Sequence, residues 1–517
     1  MPFKPATDAL AEWIRRHRAQ TPQTPVGLSI AQGLREAIAQ GVVRPGERLP
    51  ASRGLATQLE VARNTVVAAY AQLQAEGFVV SGQGSGTYVC RTAPELLGES
   101  RSQPPSTPPM VSMPPRLSNR GLNYWSDPLH SFWIEQPFCP GLFLDEQFPL
   151  ATWNKQLNQC ARELGGQVLR AGPQGGALLL REAIARHVKA TRGVHCEPRQ
   201  VVITDGTAQS LTLIGKLLTD PGDAVWMEDP CYWGASHTFA NLGLVARGLT
   251  MDGEGARPPP PIPPGTPTPR LAYLTPSNQF PLGTTMSVPR REQWLGLART
   301  HGTVLIEDDY DSDFRFAGEP LPSLQGMGAA SGSGNHVIYL SSFSKTMFPG
   351  IRLGYMVVPE GLAELFAAAG ADFDRDGEQL LQTTLARFIA DGHYASHLRV
   401  LRQTYAARRE QLVRSLYESL PGCAAPGSRL RLLGGPRGVH LTLGFPDEVD
   451  DQRVARACAQ RGVTLIPLSI YRVKPDPGGP SPSGAVLSYT GTPAEHIPAL
   501  VRRIAPVLAE HVLGEHR

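Results

Sequence analysis

The stretch Thr303-Val304-Leu305-Ile306-Glu307-Asp308-Asp309-Tyr310-Asp311 decides how this chain folds. Its apolar half has the length and β-branched character of a buried strand, and it runs straight into carboxylates. An acidic run by itself usually marks a solvated loop. Fed directly by an apolar strand, it places carboxylates at the end of a sheet. Similar runs occur at 200–204 (QVVIT), 224–228 (AVWME), 270–274 (RLAYL) and 336–340 (HVIYL), with a shorter one at Leu244-Val245-Ala246. Helical periodicity fills several of the intervals, as at 208–219 and 289–301. This alternation predicts an α/β domain with a mainly parallel sheet, and no repeat of solenoid period is present.

A second stretch adds chemistry. In Ser341-Ser342-Phe343-Ser344-Lys345, followed by Pro349-Gly350-Ile351-Arg352-Leu353-Gly354-Tyr355, a lysine follows small hydroxyl residues and precedes an arginine by seven positions. Alone, a lysine is nearly always a surface charge. Here Lys345 can form an imine with a phosphorylated aldehyde, Arg352 can clamp the phosphate bidentately, and Ser342 can donate a hydroxyl. Thr204-Asp205-Gly206-Thr207-Ala208-Gln209 reads as a strand end, a glycine and a helix start, so the N–H groups around Thr207 and Ala208 can attract phosphate. Tyr232 can stack on an aromatic ring. Asp308 can pair with a protonated ring nitrogen, and Tyr310, two residues on along a strand, faces the same side and can reach a phenolic oxygen. Together these pieces point to pyridoxal 5'-phosphate (PLP).

The N-terminal ninety residues read differently. They hold nine Lys and Arg against six acids, a surplus of three that equals the net charge of the whole chain. Residues 28–40 place Leu28, Ala31, Leu34, Ala37 and Ile38 on one helical face. Gly41, Pro45-Gly46 and Pro50 break the chain, Ser52 can cap the next helix, and two helices follow with a turn near Glu60-Val61. Two short strands around glycines at 79–89 complete a winged helix-turn-helix. The second helix of such a unit enters the major groove by its N-terminal end. That end holds Arg63, suited to guanine, Asn64, suited to adenine or phosphate, and Thr65, suited to phosphate. Val66, Val67, Tyr70 and Leu73 are expected in the core. Use of the unit for protein contacts is the alternative.

Between 104 and 115 six of twelve residues are proline, so 91–135 is expected to be an interdomain linker. A second cluster, Pro258 to Pro269, is expected to be a surface loop within the large domain. The predicted organisation is a DNA-binding domain at 1–90, the linker at 91–135 and an α/β domain at 136–517. Seven scattered cysteines without CxxC spacing argue for reduced thiols and against a disulfide frame or a metal site. No signal-peptide segment and no run of about eighteen apolar residues occurs, which points to the cytoplasm and away from membranes.

Residues 24–90 closely resemble the GntR-family DNA-binding domain, in PG-x-RLPxSR-x-LA, VxRxTVxxAYxxLxxEG and GSGTxV. Residues 138–510 resemble the fold type I aminotransferases. The run from EDDYDSDF to SSFSKTMFPGIRLGYMV, with TPSNQFPLGTTM before it, is similar to the MocR/GabR group, GntR-type regulators with an aminotransferase-like sensor domain. The resemblance implies DNA contacts from Arg53, Ser85 and Gly86, a homodimer, a double-stranded DNA operator, and PLP or an amino-acid-like effector. Three departures matter. Asn278 stands where the family has histidine, and can still hydrogen-bond near the phenolic oxygen of the cofactor. Arg170-Ala171-Gly172-Pro173 replaces an aromatic-x-Asp-Pro run whose tyrosine contacts phosphate across the dimer. Ala485-Val486-Leu487-Ser488-Tyr489-Thr490 lacks the arginine that binds a substrate carboxylate. The expectation is therefore a regulator without efficient turnover, keeping at most a residual transaminase half-reaction. PLP itself is expected as the signal, as in the branch controlling vitamin B6 synthesis. A working aminotransferase with an appended DNA-binding domain is the alternative.

Overall fold

The computed structural model describes residues 7–82, 86–91, 117–118, 121–122, 132–143, 145–261, 267–374, 379–420, 423, 427–473 and 482–514. The chain divides into two compact units, residues 1–116 and 117–517.

In the first unit, α1 (Thr7–Gln20), α2 (Val26–Ala39), α3 (Ser52–Gln58) and α4 (Arg63–Ala75) precede a hairpin of β1 (Val79–Gly82) and β2 (Gly86–Val89). The hairpin is antiparallel, with Val79 opposite Val89 and Gly82 opposite Gly86. Of the periodic face of α2, Ala31, Leu34, Ala37 and Ile38 are buried, with Ile30 beside them, against Leu10 and Ile14 of α1, Leu55 of α3, and Val66 and Leu73 of α4; Leu28, expected on that face, is 39% exposed. The Tyr70 hydroxyl donates to Pro50 O at 2.8 Å, tying α4 to the turn before α3. The turn between α3 and α4 contains Glu60 at φ 53. Ser52 does not cap α3: the cap position falls on Ala51 and Ser52 is the first helical residue. Its hydroxyl instead lies 3.5 Å from Arg63 Nε.

The second unit is built on an eight-stranded sheet. Its strands are β3 (Val201–Thr204), β4 (Ala224–Asp229), β5 (Val245–Asp252), β6 (Gly255–Ala256), β7 (Leu271–Leu274), β8 (Val304–Asp308), β9 (Val337–Ser342) and β10 (Gly354–Val357). The order is β3-β10-β9-β8-β7-β4-β5-β6. The run from β9 to β5 is parallel. β10 is antiparallel to both its neighbours, and β6 is antiparallel to β5. Strands such as β3, β7 and β10 are buried along their whole length, as unbroken apolar runs require when both faces of a sheet are covered. A smaller antiparallel sheet is formed by β11 (Arg431–Leu433), β12 (His440–Phe445), β13 (Ile466–Pro467) and β14 (Ser483–Ser488), in the order β11-β12-β14-β13.

Most of the stretch expected as a linker lies outside the described residues. Its final part, Phe132–Glu135, packs on the large unit: Phe132 is buried in the core with Phe138, and Ile134 O accepts from Thr464 Oγ1 at 2.8 Å. These four residues are therefore not free tether. Residues 262–266 of the second proline cluster also lie outside the described residues.

One close approach positions the functional region. A Cβ on Gly354 would stand 2.7 Å from Gly206 Cα, backbone against backbone. Gly206 has φ 116 and opens the helix Thr207–Leu218. Gly354→Ala is therefore expected to destabilise the large unit by about 1–3 kcal/mol through overpacking. Gly361→Ala, where nothing lies within 4 Å, should leave it unchanged. Thermal unfolding of the two variants checks this, and equal melting temperatures would contradict it.

Candidate functional site

The carboxyl ends of β4, β8 and β9 converge on a cavity of about 260 Å³, the usual place for ligands in an open α/β sheet. Lys345, Asp308, Tyr310, Tyr232, Arg352, Ser342, Thr207 and Ala208 all line it. Each reaches it for a local reason. Asp308 ends β8, and Tyr310 follows in a bend beyond the strand, so turn geometry rather than strand alternation brings it alongside. Thr207 and Ala208 begin a twelve-residue helix whose first N–H groups have no intrahelical partner. Arg352 adopts a left-handed conformation (φ 49) between a 3₁₀ turn and β10. Ser342 Oγ donates to Ser344 Oγ at 3.0 Å and accepts from Ser344 N at 3.1 Å, shaping the turn before Lys345.

The electrostatics suit a bound cation ring and a bound aldehyde. Burial pushes the Lys345 ammonium below its ordinary range, with Asp311 partly opposing it, which favours the neutral, nucleophilic amine. Burial pushes Asp308 up to about 7, against the hydrogen bond from the Tyr273 hydroxyl to its Oδ2 at 2.6 Å. Its other oxygen, Oδ1, is buried and has no partner among the described residues. A protonated pyridine nitrogen would supply both the missing donor and the missing charge. With an arginine and a helix start in the same cavity for the phosphate, the residues present fit PLP.

Asn278 stands elsewhere. It does not line this cavity but sits behind it, because its Nδ2 donates to the Tyr310 hydroxyl at 3.2 Å and to Asp311 Oδ2 at 2.8 Å. It meets the cavity lining at Tyr310. Among the described lining residues, Arg352 is the sole arginine. Ser488 and Thr490 occupy the expected clamp region, and their hydroxyls donate to Val439 O and Leu142 O. His440 lines the same wall with burial holding its imidazole down at about 4, hence neutral at pH 7.

Several lining residues were not singled out from the sequence. Tyr273 lies on β7, and only its pairing with β8 reveals that it serves Asp308. Trp133, in the stretch expected as linker, stands 6.5 Å from Trp233, edge to face, and both line the cavity.

In the first unit, Arg53 lies near the start of α3 and Arg63 and Asn64 begin α4; all three are exposed, and Thr65 is half-buried. Val67 is not core: it is 44% exposed, one turn from Arg63 on the same helical face, where a methyl group can meet thymine. Val66, Tyr70 and Leu73 are buried. Gly86 (φ 112) packs under the Arg48 guanidinium, and Ser85 lies outside the described residues.

Comparison with known proteins bears on both units. The family described as bacterial regulatory proteins, gntR family, matches residues 27–89. Aminotransferase class I and II matches 138–248 and 274–504. The probable rhizopine catabolism regulatory protein MocR of Rhizobium meliloti is 33% identical over 470 residues, 90% of each chain. The pyridoxine biosynthesis transcriptional regulator PdxR of Corynebacterium glutamicum is 28% identical over 449 residues, 87% of this chain and 89% of that one. Among solved structures, the α-aminoadipate aminotransferase LysN of Thermus thermophilus superposes with a TM-score of 0.66 at 25% identity, over 76% of this chain and 97% of that one.

Tyr273→Phe removes the one hydrogen bond that supports Asp308. A bond to a charged group contributes about 1.5–3 kcal/mol, so affinity for PLP is expected to fall about tenfold or more. The pH midpoint of the visible band should move with it. Titration of the absorbance checks both, and an unchanged affinity and midpoint would remove Tyr273 from the site.

Proposed function

The chain belongs to the GntR-type regulators that carry an aminotransferase class I and II domain, and from that premise we propose that its large unit binds PLP through Lys345 and reports ligand state to the DNA-binding unit. As a member of that group it is a DNA-binding transcriptional regulator. The observation that carries the cofactor reading is one cavity holding a half-buried lysine, a buried carboxylate with one oxygen unpaired among the described residues, and an arginine beside a helix start.

When bound, PLP supplies an aldehyde and an electron-withdrawing ring. The protein's own residues divide the work around it. Lys345 offers an amine kept short of protons by burial. Asp308 would accept from the ring nitrogen, and the Tyr310 hydroxyl, which donates to Asn278 O at 3.0 Å in this structure, would turn to the phenolic oxygen. Arg352, Ser342 and the N–H groups of Thr207 and Ala208 would hold the phosphate, and the Tyr232 ring would offer a face to the pyridine. Asn278 positions Tyr310.

The lining of the cavity supports PLP itself, or a ligand without a strongly bound carboxylate, as the signal. No second arginine waits there among the described residues. Control of vitamin B6 metabolism fits this reading, since PdxR, a relative over most of the chain, is named for pyridoxine biosynthesis. Catalytic turnover is the second reading. It is favoured by the presence of the lysine, aspartate and tyrosine, and disfavoured by the absent clamp, because substrate positioning supplies much of an enzyme's rate. We place the protein in the cytoplasm, where its operator is; no helix among the described residues is long and apolar enough to cross a membrane.

A homodimer is supported by Leu150, Leu169, Leu178 and Leu179, each more than half exposed and close in sequence to Arg170. Sedimentation as a monomer at micromolar concentration would contradict it.

Two substitutions separate the two activities. Arg63→Ala should lower operator affinity about tenfold or more, since a bidentate base contact contributes about 1–3 kcal/mol, and should leave the PLP absorbance band intact. Lys345→Ala should abolish the band. Retention of the band in Lys345→Ala, or of full operator affinity in Arg63→Ala, would overturn the corresponding assignment.

A further inference from the structure

A second, smaller cavity of about 30 Å³ lies behind Tyr310, lined in part by Asn278, Asp311, Arg315, Glu319 and Arg437. Arg192 also lines it but is already committed: its Nε donates to Asp309 Oδ2 at 2.7 Å, and its other nitrogens to Ser277 and to Leu321 O. Arg315 and Arg437 differ. They face one another across an isolated antiparallel bridge. Directly opposed residues in such a pair share a face, with Cβ atoms roughly 4.5–5.5 Å apart, and like charges there are destabilising.

No ion pair within 4 Å joins either guanidinium to a carboxylate among the described residues. Burial pulls both guanidiniums below their ordinary range; Arg192 adds to this for Arg315 and Arg315 for Arg437, while Glu319 opposes it for Arg315 and Asp311 for Arg437 without offsetting it. Two further atoms are short of partners. Arg437 Nε is a buried donor with none, although another of its nitrogens reaches Thr285. Asn278, only 4% exposed, has a buried Oδ1 with none.

We propose that this cavity binds a small oxyanion, a phosphate or a carboxylate group, between Arg315 and Arg437 and against Asn278, separate from the phosphate cradle at Arg352. An anion between the two guanidiniums removes their repulsion and gives Arg437 Nε its acceptor. An oxyanion that keeps one O–H, as hydrogen phosphate does, also gives Asn278 Oδ1 its donor. Asn278 then carries the occupancy inward, because the same side chain holds the Tyr310 hydroxyl and Asp311. The anion site itself does not depend on the cofactor reading. Its coupling to the larger cavity does.

Calorimetric titration of inorganic phosphate, and separately of acetate, into full-length protein saturated with PLP tests the site, the cradle at Arg352 being filled. PLP loading is read first from the visible band, so failure of the cofactor reading is seen independently. Saturable binding of at least one of the two ions is expected, weakened about tenfold or more in Arg315→Gln and Arg437→Gln and partly restored in Arg437→Lys. Binding of phosphate alone or of acetate alone identifies the group. In the wild type the visible band should shift on titration, and in Arg437→Gln it should not. Absence of saturable binding by both ions, or equal binding by the wild type and both glutamine variants, would overturn the proposal.

Discussion

Four carboxylates leave the end of one strand and stay inside the protein, and each must find a partner or give up its charge. Glu307, Asp308, Asp309 and Asp311 are all 4% exposed or less. Removing an ion from water costs several kcal/mol even after relaxation, so the surrounding fold is organised to meet that demand. Glu307 accepts from the N–H groups of Leu324 and Gln325 at 2.8 and 3.0 Å, at the start of a helix. Asp309 is held ionised, despite burial, by Arg192, Tyr339 and Ser312. Asp311 accepts from Asn278. Among the described residues, Asp308 and Asp309 each keep one oxygen without a partner, but Asp309 already has its charge met by Arg192. Asp308 has only the Tyr273 hydroxyl, and it lines the large cavity. Three of the four are anchored by the protein. The fourth is left for a ligand.

The same economy explains why a regulator can use an enzyme's fold. A parallel sheet delivers its strand ends to one place, so Asp308 from β8, Ser342 from β9 and the helix start after β3 meet without any long-range design. The distal wall carries Ser488, Thr490, a neutral His440 and the Trp133–Trp233 pair, groups able to enclose a ligand. A ligand that only has to bind needs enclosure more than alignment.

Much of this was legible in the sequence because strands and helices here have strong periods. The five apolar runs became β3, β4, β7, β8 and β9, and the helical segments at 208–219 and 289–301 appear at Thr207–Leu218 and Val288–His301. Depth and cross-strand neighbours were not legible. That Asn278 reaches the Tyr310 hydroxyl is not readable from the sequence, since it depends on how the loop turns. Tyr273 carries no local signal, because its partner Asp308 is thirty-five residues away and adjacent only through sheet pairing. Val67 was expected in the core, yet helical phase sets it with Arg63 on the outer face, and Ser52 missed the cap by a single position. Trp133 was hidden by the proline-rich composition that precedes it.

On the proposed function, the cavity around Lys345 and the winged helix act as one switch, with the large unit's ligand state altering affinity for DNA. The most direct measurement is the affinity of the full-length protein for its operator with and without saturating PLP, in the wild type and in Lys345→Ala. The account predicts an affinity that changes severalfold or more with PLP in the wild type and not in the variant. Operator affinity indifferent to PLP and to amino acids in the wild type, or a PLP response that survives in Lys345→Ala, would contradict it.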